Sequence, residues 1–187
     1  MKSKDIAICG LMIAIYVVIS FVFIADVRFV QTFIEVVKTA VIAVCIRKFS
    51  SHKNSIIFLF ACYMVCLITL PINQTIIHGV PCLIGGYVIG IQKERFKVRG
   101  FFMFFFINTL MIVYEFLLYN AIMGINLFST YQNGLTDILT EVLGINISSV
   151  FLSIFFVLLV LVDSVFSSVI IYVFSSYVIK QTDKLIK

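Results

Sequence analysis

Residues 148–179 read SSVFLSIFFVLLVLVDSVFSSVIIYVFSSYVI and contain a single charged residue, Asp163. As a helix rising about 1.5 Å per residue, this run extends about 48 Å. That exceeds the roughly 30 Å hydrocarbon core of a bilayer. A soluble domain of ordinary size cannot hide such a segment on all its faces, because its surface-to-volume ratio leaves too much side chain in water. The run therefore predicts a membrane-crossing helix, long enough to tilt or to project beyond the bilayer. A barrel strand is disfavoured by the absence of alternating polarity.

The rest of the chain agrees. Of 187 residues, 62% are hydrophobic and 12% charged, with net charge +5 and mean hydropathy +1.16. Soluble domains carry about a quarter charged residues. Five further apolar runs occupy 6–24, 29–46, 55–70, 75–91 and 101–123, the third ending at Pro71. The expected fold is an all-α integral membrane protein: one domain, residues 1–187, forming a single bundle of six transmembrane helices. That length leaves no room for an ATPase domain or a large extramembrane catalytic domain. The positive charge borders apolar runs and forms no continuous basic face, so nucleic acid is not an expected partner.

Lysine and arginine remain on the cytoplasmic side of short loops. Twelve of the 14 basic residues fall on one side: Lys2 and Lys4; Arg47, Lys48 and Lys53; Lys93, Arg95, Lys97 and Arg99; Lys180, Lys184 and Lys187. Both termini are thus expected in the cytoplasm. Arg28 is left outside and Lys38 within a span. The first run is too long for a cleavable signal and lacks a small-residue cleavage site before Asp26. The longest loop, 124–147, falls outside and reads either as a cover over a site or as a solvated connector.

Charges inside spans are the most informative residues, since each costs at least about 2.5–3.5 kcal/mol at the helix centre. Glu35, Lys38, Glu115 and Asp163 are in this position and should face the bundle interior. Glu35 and Lys38 share a helix face, which fits an internal ion pair. Counting along the helices puts Glu35 about 9 Å and Glu115 about 12 Å below their outer ends, so the two can share a cavity open to the outside. Asp163 has Ser167 one turn away as a hydrogen-bond partner. Asp26, Arg28, Gln31, Asn73, Gln74, His78, Tyr114, Tyr119 and Asn120 gather near the outer ends, where they either hold a small polar ligand or meet headgroups and water. Three acids against one base within the spans favour a cationic or hydrogen-bond-donating ligand.

The five cysteines, Cys9, Cys45, Cys62, Cys66 and Cys82, form no Cys-x-x-Cys pair and read as small hydrophobes. With no adjacent cluster of His and carboxylate in the sequence either, no metal site is expected in the chain. His78 and Cys82 are four apart, but no motif supports a cysteine nucleophile there. His78 instead reads as a structural or a ligand-contacting imidazole. Ala7, Gly10 and Ala14 line one face of the first helix. Gly79, Cys82, Gly86 and Gly90 make a stripe on the fourth, with Gly86-x-x-x-Gly90 matching the close-packing pattern. Each stripe serves either internal packing or a partner.

The length, the six spans with both ends inside, the opening DIAICGLMIAIYVVIS and the segment HGVPCLIGGYVIG before a basic loop together resemble the substrate-binding S components of energy-coupling-factor (ECF) vitamin transporters. The family's first helix carries an Ala-x-x-x-Ala motif that docks a transmembrane coupling subunit; here those positions read Gly10-x-x-x-Ala14. The region 81–90 is similar to the Gly-Pro-x-Gly-Gly-Tyr region of biotin-specific members, but the proline and paired glycine are further apart, and Asp163 lacks the lysine that follows in those proteins. The resemblance implies a multi-pass protein of a bacterial cell membrane that captures a water-soluble vitamin or related micronutrient and is not itself an enzyme. It implies a coupling subunit and two ATPase subunits as partners. The chain has no Gly-x-x-x-x-Gly-Lys-[Ser/Thr] loop, so no cofactor is expected on it and ATP would be used by those partners. Substrate contacts are expected among Glu35, Lys38, Gln74, His78, Glu115, Tyr119, Asn120 and Asp163, and docking on Ala7, Gly10 and Ala14. A scaffold protein of the cell-shape type is the alternative, and a membrane peptidase a more distant one.

Overall fold

A computed structural model describes residues 3–21, 28–49, 51–92, 98–142, 144 and 148–185, with side chains from Ile6 in the first stretch and Phe33 in the second. Lys2, Asp26, Lys93, Arg95, Lys97 and Lys187, the side chains of Lys4, Arg28 and Gln31, and the run ends at 22–24 lie outside the described residues. Among those described, all regular structure is helical: α1 Ser3–Phe21, α2 Arg28–Lys48, α3 His52–Thr69, α4 Ile72–Gly90, α5 Val98–Met123, α6 Leu127–Asp137 and α7 Ser149–Leu185. Four of them, α3, α4, α5 and α7, are long and apolar enough to cross a membrane, and α1 contributes a shorter apolar stretch, Ile6–Phe21. The loop 124–147 is not a simple connector, because α6 occupies its first half and continues through a wider turn, Ile138–Val142.

Local chemistry sets the helix ends. Ser51 caps α3 by accepting the Lys53 N–H, and Pro71 ends that helix by holding Leu70 extended. Gly124, at φ 64°, terminates α5. Asn126 then caps α6 through the Ser129 N–H.

Burial is inverted relative to a soluble protein. On α7, Ser164, Ser168 and Ser175 are fully buried while Phe166 is 69% exposed. Large apolar side chains such as Leu158, Val162 and Val165 face outward beside it. Without a hydrophobic drive between helices in lipid, small residues and interhelical hydrogen bonds hold a bundle together. Both occur here. Asn108 on α5 donates to Ser167 and Ser168 Oγ at 2.9 Å each, and Thr109 meets Ser164 at 2.6 Å. With Phe101 against Tyr172 and Phe116 against Phe156, these pairs run in opposite order, so α5 and α7 are antiparallel.

The opposite wall is α2 against α4, and this pair runs parallel. Cys82 lies against the Glu35 carbonyl, Gly86 against Thr39 and Ile42, and Gly90 against Ala43 and Ile46. A Cβ built at Gly86 would stand 2.5 Å from Ile42 Cβ and 2.9 Å from the Thr39 carbonyl oxygen; at Gly90 the distances are 2.6 Å to Ile46 Cβ and 2.8 Å to the Ala43 carbonyl. The glycine stripe of α4 is therefore an internal contact at backbone distance. Parallel neighbours need a returning segment between them, and α3 supplies it. At the far end Arg47 donates to the Gln92 carbonyl, while Gln92 accepts from Tyr172 at 2.7 Å and donates to the Gly100 carbonyl at 3.1 Å. That network ties the ends of α2, α4 and α5 to Tyr172 within α7.

Gly86→Ala is expected to lower the thermal unfolding midpoint in detergent, at an overpacking cost of about 1–3 kcal/mol. Gly134→Ala on α6, where an added Cβ meets nothing within 4 Å, is expected to leave the midpoint unchanged or raise it, since Ala is the better helix former by about 1 kcal/mol. Equal melting of the two variants would contradict the contact.

Candidate functional site

The site begins with a local irregularity in α4. Pro81 has no N–H to donate to the carbonyl of Ile77, four residues before it, and its ring crowds that carbonyl. The preceding turn, Thr75–Gly79, is wound as a π-helix, a feature frequent at functional sites. Its carbonyls find tyrosine donors from two other helices: Tyr16 of α1 donates to the Gly79 carbonyl at 3.2 Å and Tyr114 of α5 to the Ile76 carbonyl at 3.1 Å. Thr75 Oγ1 donates to the Cys66 carbonyl at 3.2 Å. This turn carries His78.

His78 projects between α2 and α5. Its Nδ1 is 3.4 Å from Glu35 Oε1 and 3.8 Å from Glu115 Oε1. Its Nε2 shares a 3.0 Å hydrogen bond with Tyr119 Oη, and the two rings meet edge to face. All three acid and base side chains are largely shielded, His78 being 12% exposed, Glu35 26% and Glu115 24%. They line one cavity of ≈ 280 Å³. This is slightly below the range of about 300–1,000 Å³ for pockets that hold drug-sized ligands.

Among the described residues, five helices line the cavity. Glu35 and Thr39 come from α2, and His78, Pro81, Cys82 and Gly85 from α4. A continuous face of α5 supplies Phe104, Asn108, Met111, Ile112, Glu115, Phe116 and Tyr119. Asp163, Ser167 and Ile171 come from α7, and Leu127 and Tyr131 from α6. The latter helix is held by a Gln132–Ser153 hydrogen bond of 2.9 Å and by Phe128 and Tyr131 around Phe156. The described part of the 124–147 segment thus contributes α6 to the lining of the cavity.

Of the residues singled out from the sequence, Glu35, His78, Glu115, Tyr119 and Asp163 line this cavity, but Asp163, expected to face the bundle interior, is exposed. Lys38 and Gln74 line a second, much smaller cavity on the other side of His78, with Tyr16, Ser20 and Thr75. There the Lys38 ammonium lies 4.8 Å over the Tyr16 ring, and the Glu35 carboxylate reaches His78. Asn120 is exposed and lines neither cavity; its carbonyl accepts the Gly124 N–H at the end of α5. Ser167, expected to hold Asp163, donates to the Ser164 carbonyl and accepts from Asn108. Ala7, Gly10 and Ala14 are exposed on the outside of α1, and a Cβ at Gly10 would meet nothing within 4 Å.

Asn108, Thr39 and Tyr131 join the cavity without having been expected from the sequence. Counting back from Glu115 by four and seven residues reaches Met111 and Asn108, so the 3.6-residue period alone would have found the polar floor of the cavity. Tyr131 carries no such signal, because it depends on where α6 folds back. No protein-family profile, curated protein or solved structure matches the chain.

Tyr114→Phe is expected to cost about 0.6–2 kcal/mol, the range for an interhelical hydrogen bond in a membrane bundle, by leaving the Ile76 carbonyl without its tyrosine donor. Thermal unfolding in detergent measures this. A variant as stable as the parent would mean that the bond does not support the π turn.

Proposed function

We propose that the chain is the substrate-binding membrane subunit of an importer of the ECF type, an S component that captures a small water-soluble molecule and delivers it with a coupling subunit and two ATPase subunits. In this reading the bundle has six spans with both termini in the cytoplasm of a bacterial cell. Its mouth, covered by α6, faces outward. The observation that carries the proposal is a polar cavity inside an apolar bundle, where groups from α2, α4, α5 and α7 converge beneath α6.

A cavity with two glutamates, an aspartate, an amide, hydroxyls and the Phe104 and Phe116 rings offers charge, hydrogen bonds and aromatic faces together. Such a lining suits a compact cationic or hydrogen-bond-donating micronutrient. Capture requires no catalytic residue in this chain. The exposed Ala7, Gly10 and Ala14 face supports docking of a coupling helix, because small residues allow close backbone approach.

Purification in mild detergent, followed by mass spectrometry of whatever small molecule remains bound, tests the reading. A retained organic micronutrient is the expected result. An empty protein that co-purifies only with cell-envelope proteins would instead favour a scaffold.

Two variants separate the roles. Glu115→Gln is expected to weaken ligand binding about 10–100-fold, the equivalent of a charge-assisted hydrogen bond of about 1.5–3 kcal/mol. Gly10→Leu combined with Ala14→Leu is expected to abolish uptake while leaving ligand affinity and the melting temperature unchanged. If those leucines unfold the bundle, the face belongs to internal packing.

A further inference from the structure

We infer that Glu35, His78 and Glu115 form a binding site for a divalent first-row transition-metal ion at the cavity wall. One ligand atom from each side chain lies within 4.8 Å of the other two. The two distances from His78 Nδ1 are 3.4 and 3.8 Å. A tetrahedral ion bound at about 2.0–2.2 Å by nitrogen and oxygen separates its ligand atoms by about 3.4 Å. The two distances from His78 are therefore close to the spacing of a loaded site.

The second observation is on the opposite edge of the imidazole. A metal-ligating histidine almost always gives its other ring N–H to an oxygen, which fixes the tautomer and aims the free lone pair. Tyr119 Oη, 3.0 Å from Nε2, occupies that position. Nδ1 then faces the two carboxylates as a ligand.

Charge points the same way. Among the described residues, the largely shielded Glu35 and Glu115 and the exposed Asp163 line the larger cavity and Lys38 the smaller one, so with a neutral imidazole the formal balance of these four groups is two negative charges. A divalent ion cancels them where uncompensated charge is costly. The imidazole favours a first-row transition ion over hard magnesium and calcium, which prefer oxygen alone, and the three donors include no thiolate for soft copper(I). With three protein ligands, a further coordination position opens on the cavity, as in metal sites that bind an exchangeable ligand.

The inference does not depend on the importer reading. The chelator-stripped full chain, in detergent, is titrated with Zn²⁺ by calorimetry and with Co²⁺ by visible absorption. Saturable binding of one ion per chain is expected, with a Co²⁺ spectrum free of thiolate charge transfer. His78→Gln and Glu115→Gln, each checked for an unchanged elution volume and melting temperature, are expected to lower affinity by at least about 100-fold. Tyr119→Phe, which acts only through the imidazole, is expected to lower it about 10–100-fold.

No saturable binding by the folded parent would overturn the inference and leave a protonated imidazole held between two carboxylates. Binding that persists unchanged in both ligand variants, or a thiolate band implicating Cys82, would overturn it equally. Zinc binding without any retained organic molecule would leave the metal site standing and the importer reading unsupported; a retained molecule without zinc binding would do the reverse.

Discussion

The arrangement depends on how closely α2 and α4 approach. Gly86 and Gly90 bring α4 to backbone distance from Thr39, Ile42, Ala43 and Ile46 of α2, and the same alignment continues to Cys82 beside Glu35. One turn further along α4 is His78. Because the two helices run parallel with this offset, a carboxylate on one and an imidazole on the other meet at the same depth. A side chain at Gly86 would displace α4 outward, and the Glu35–His78 distance of 3.4 Å would widen with it. The close contact and the polar cluster are consecutive parts of one interface.

Backbone hydrogen bonding explains why the irregular turn is tolerated beside that contact. A π turn before a proline leaves carbonyls poorly served, and in hydrocarbon each unsatisfied group costs several kcal/mol. Tyr16 and Tyr114 donate to two of them from α1 and α5. The repair thereby ties three helices together around His78. Similar logic operates on the other wall, where Asn108 and Thr109 bond the buried serines of α7. Polar groups in this bundle act as interhelical links, and the apolar bulk faces outward.

Much of this was legible in the sequence because lipid penalises so few residue types so heavily. The apolar runs located the helices to within a few residues, and the cost of burying charge marked Glu35 and Glu115 as inward groups, whereas Asp163, marked in the same way, is exposed. Other features escaped for identifiable reasons. The π turn holds one residue more than an α turn, which rotates the rest of α4 by about 100°, so a face counted through His78 at constant period misplaces its neighbours. Lys38 is three residues from Glu35, and spacing cannot reveal that an aromatic ring from α1 lies beneath its ammonium. The 124–147 segment is too short and mixed to announce a membrane element, yet Leu127 and Tyr131, one turn apart, turn toward the cavity.

The two small-residue stripes show why a close-packing motif is ambiguous until its counterpart is known. Gly86 and Gly90 are used because α2 presents Ile42 and Ile46 at the same four-residue spacing, so each isoleucine fills the space a glycine leaves. Ala7, Gly10 and Ala14 offer an equally smooth surface, but no atom of the described residues stands within 4 Å of a Cβ at Gly10. In water the exposure of such a face would be settled by its apolar area. In lipid, where tails are as apolar as leucine, burying the stripe brings no hydrophobic gain, and only a shape-matched surface makes association favourable. Among the described residues the matched surface exists for α4 and is lacking for α1. A bulky residue is therefore costly to the fold at Gly86 and nearly free at Gly10.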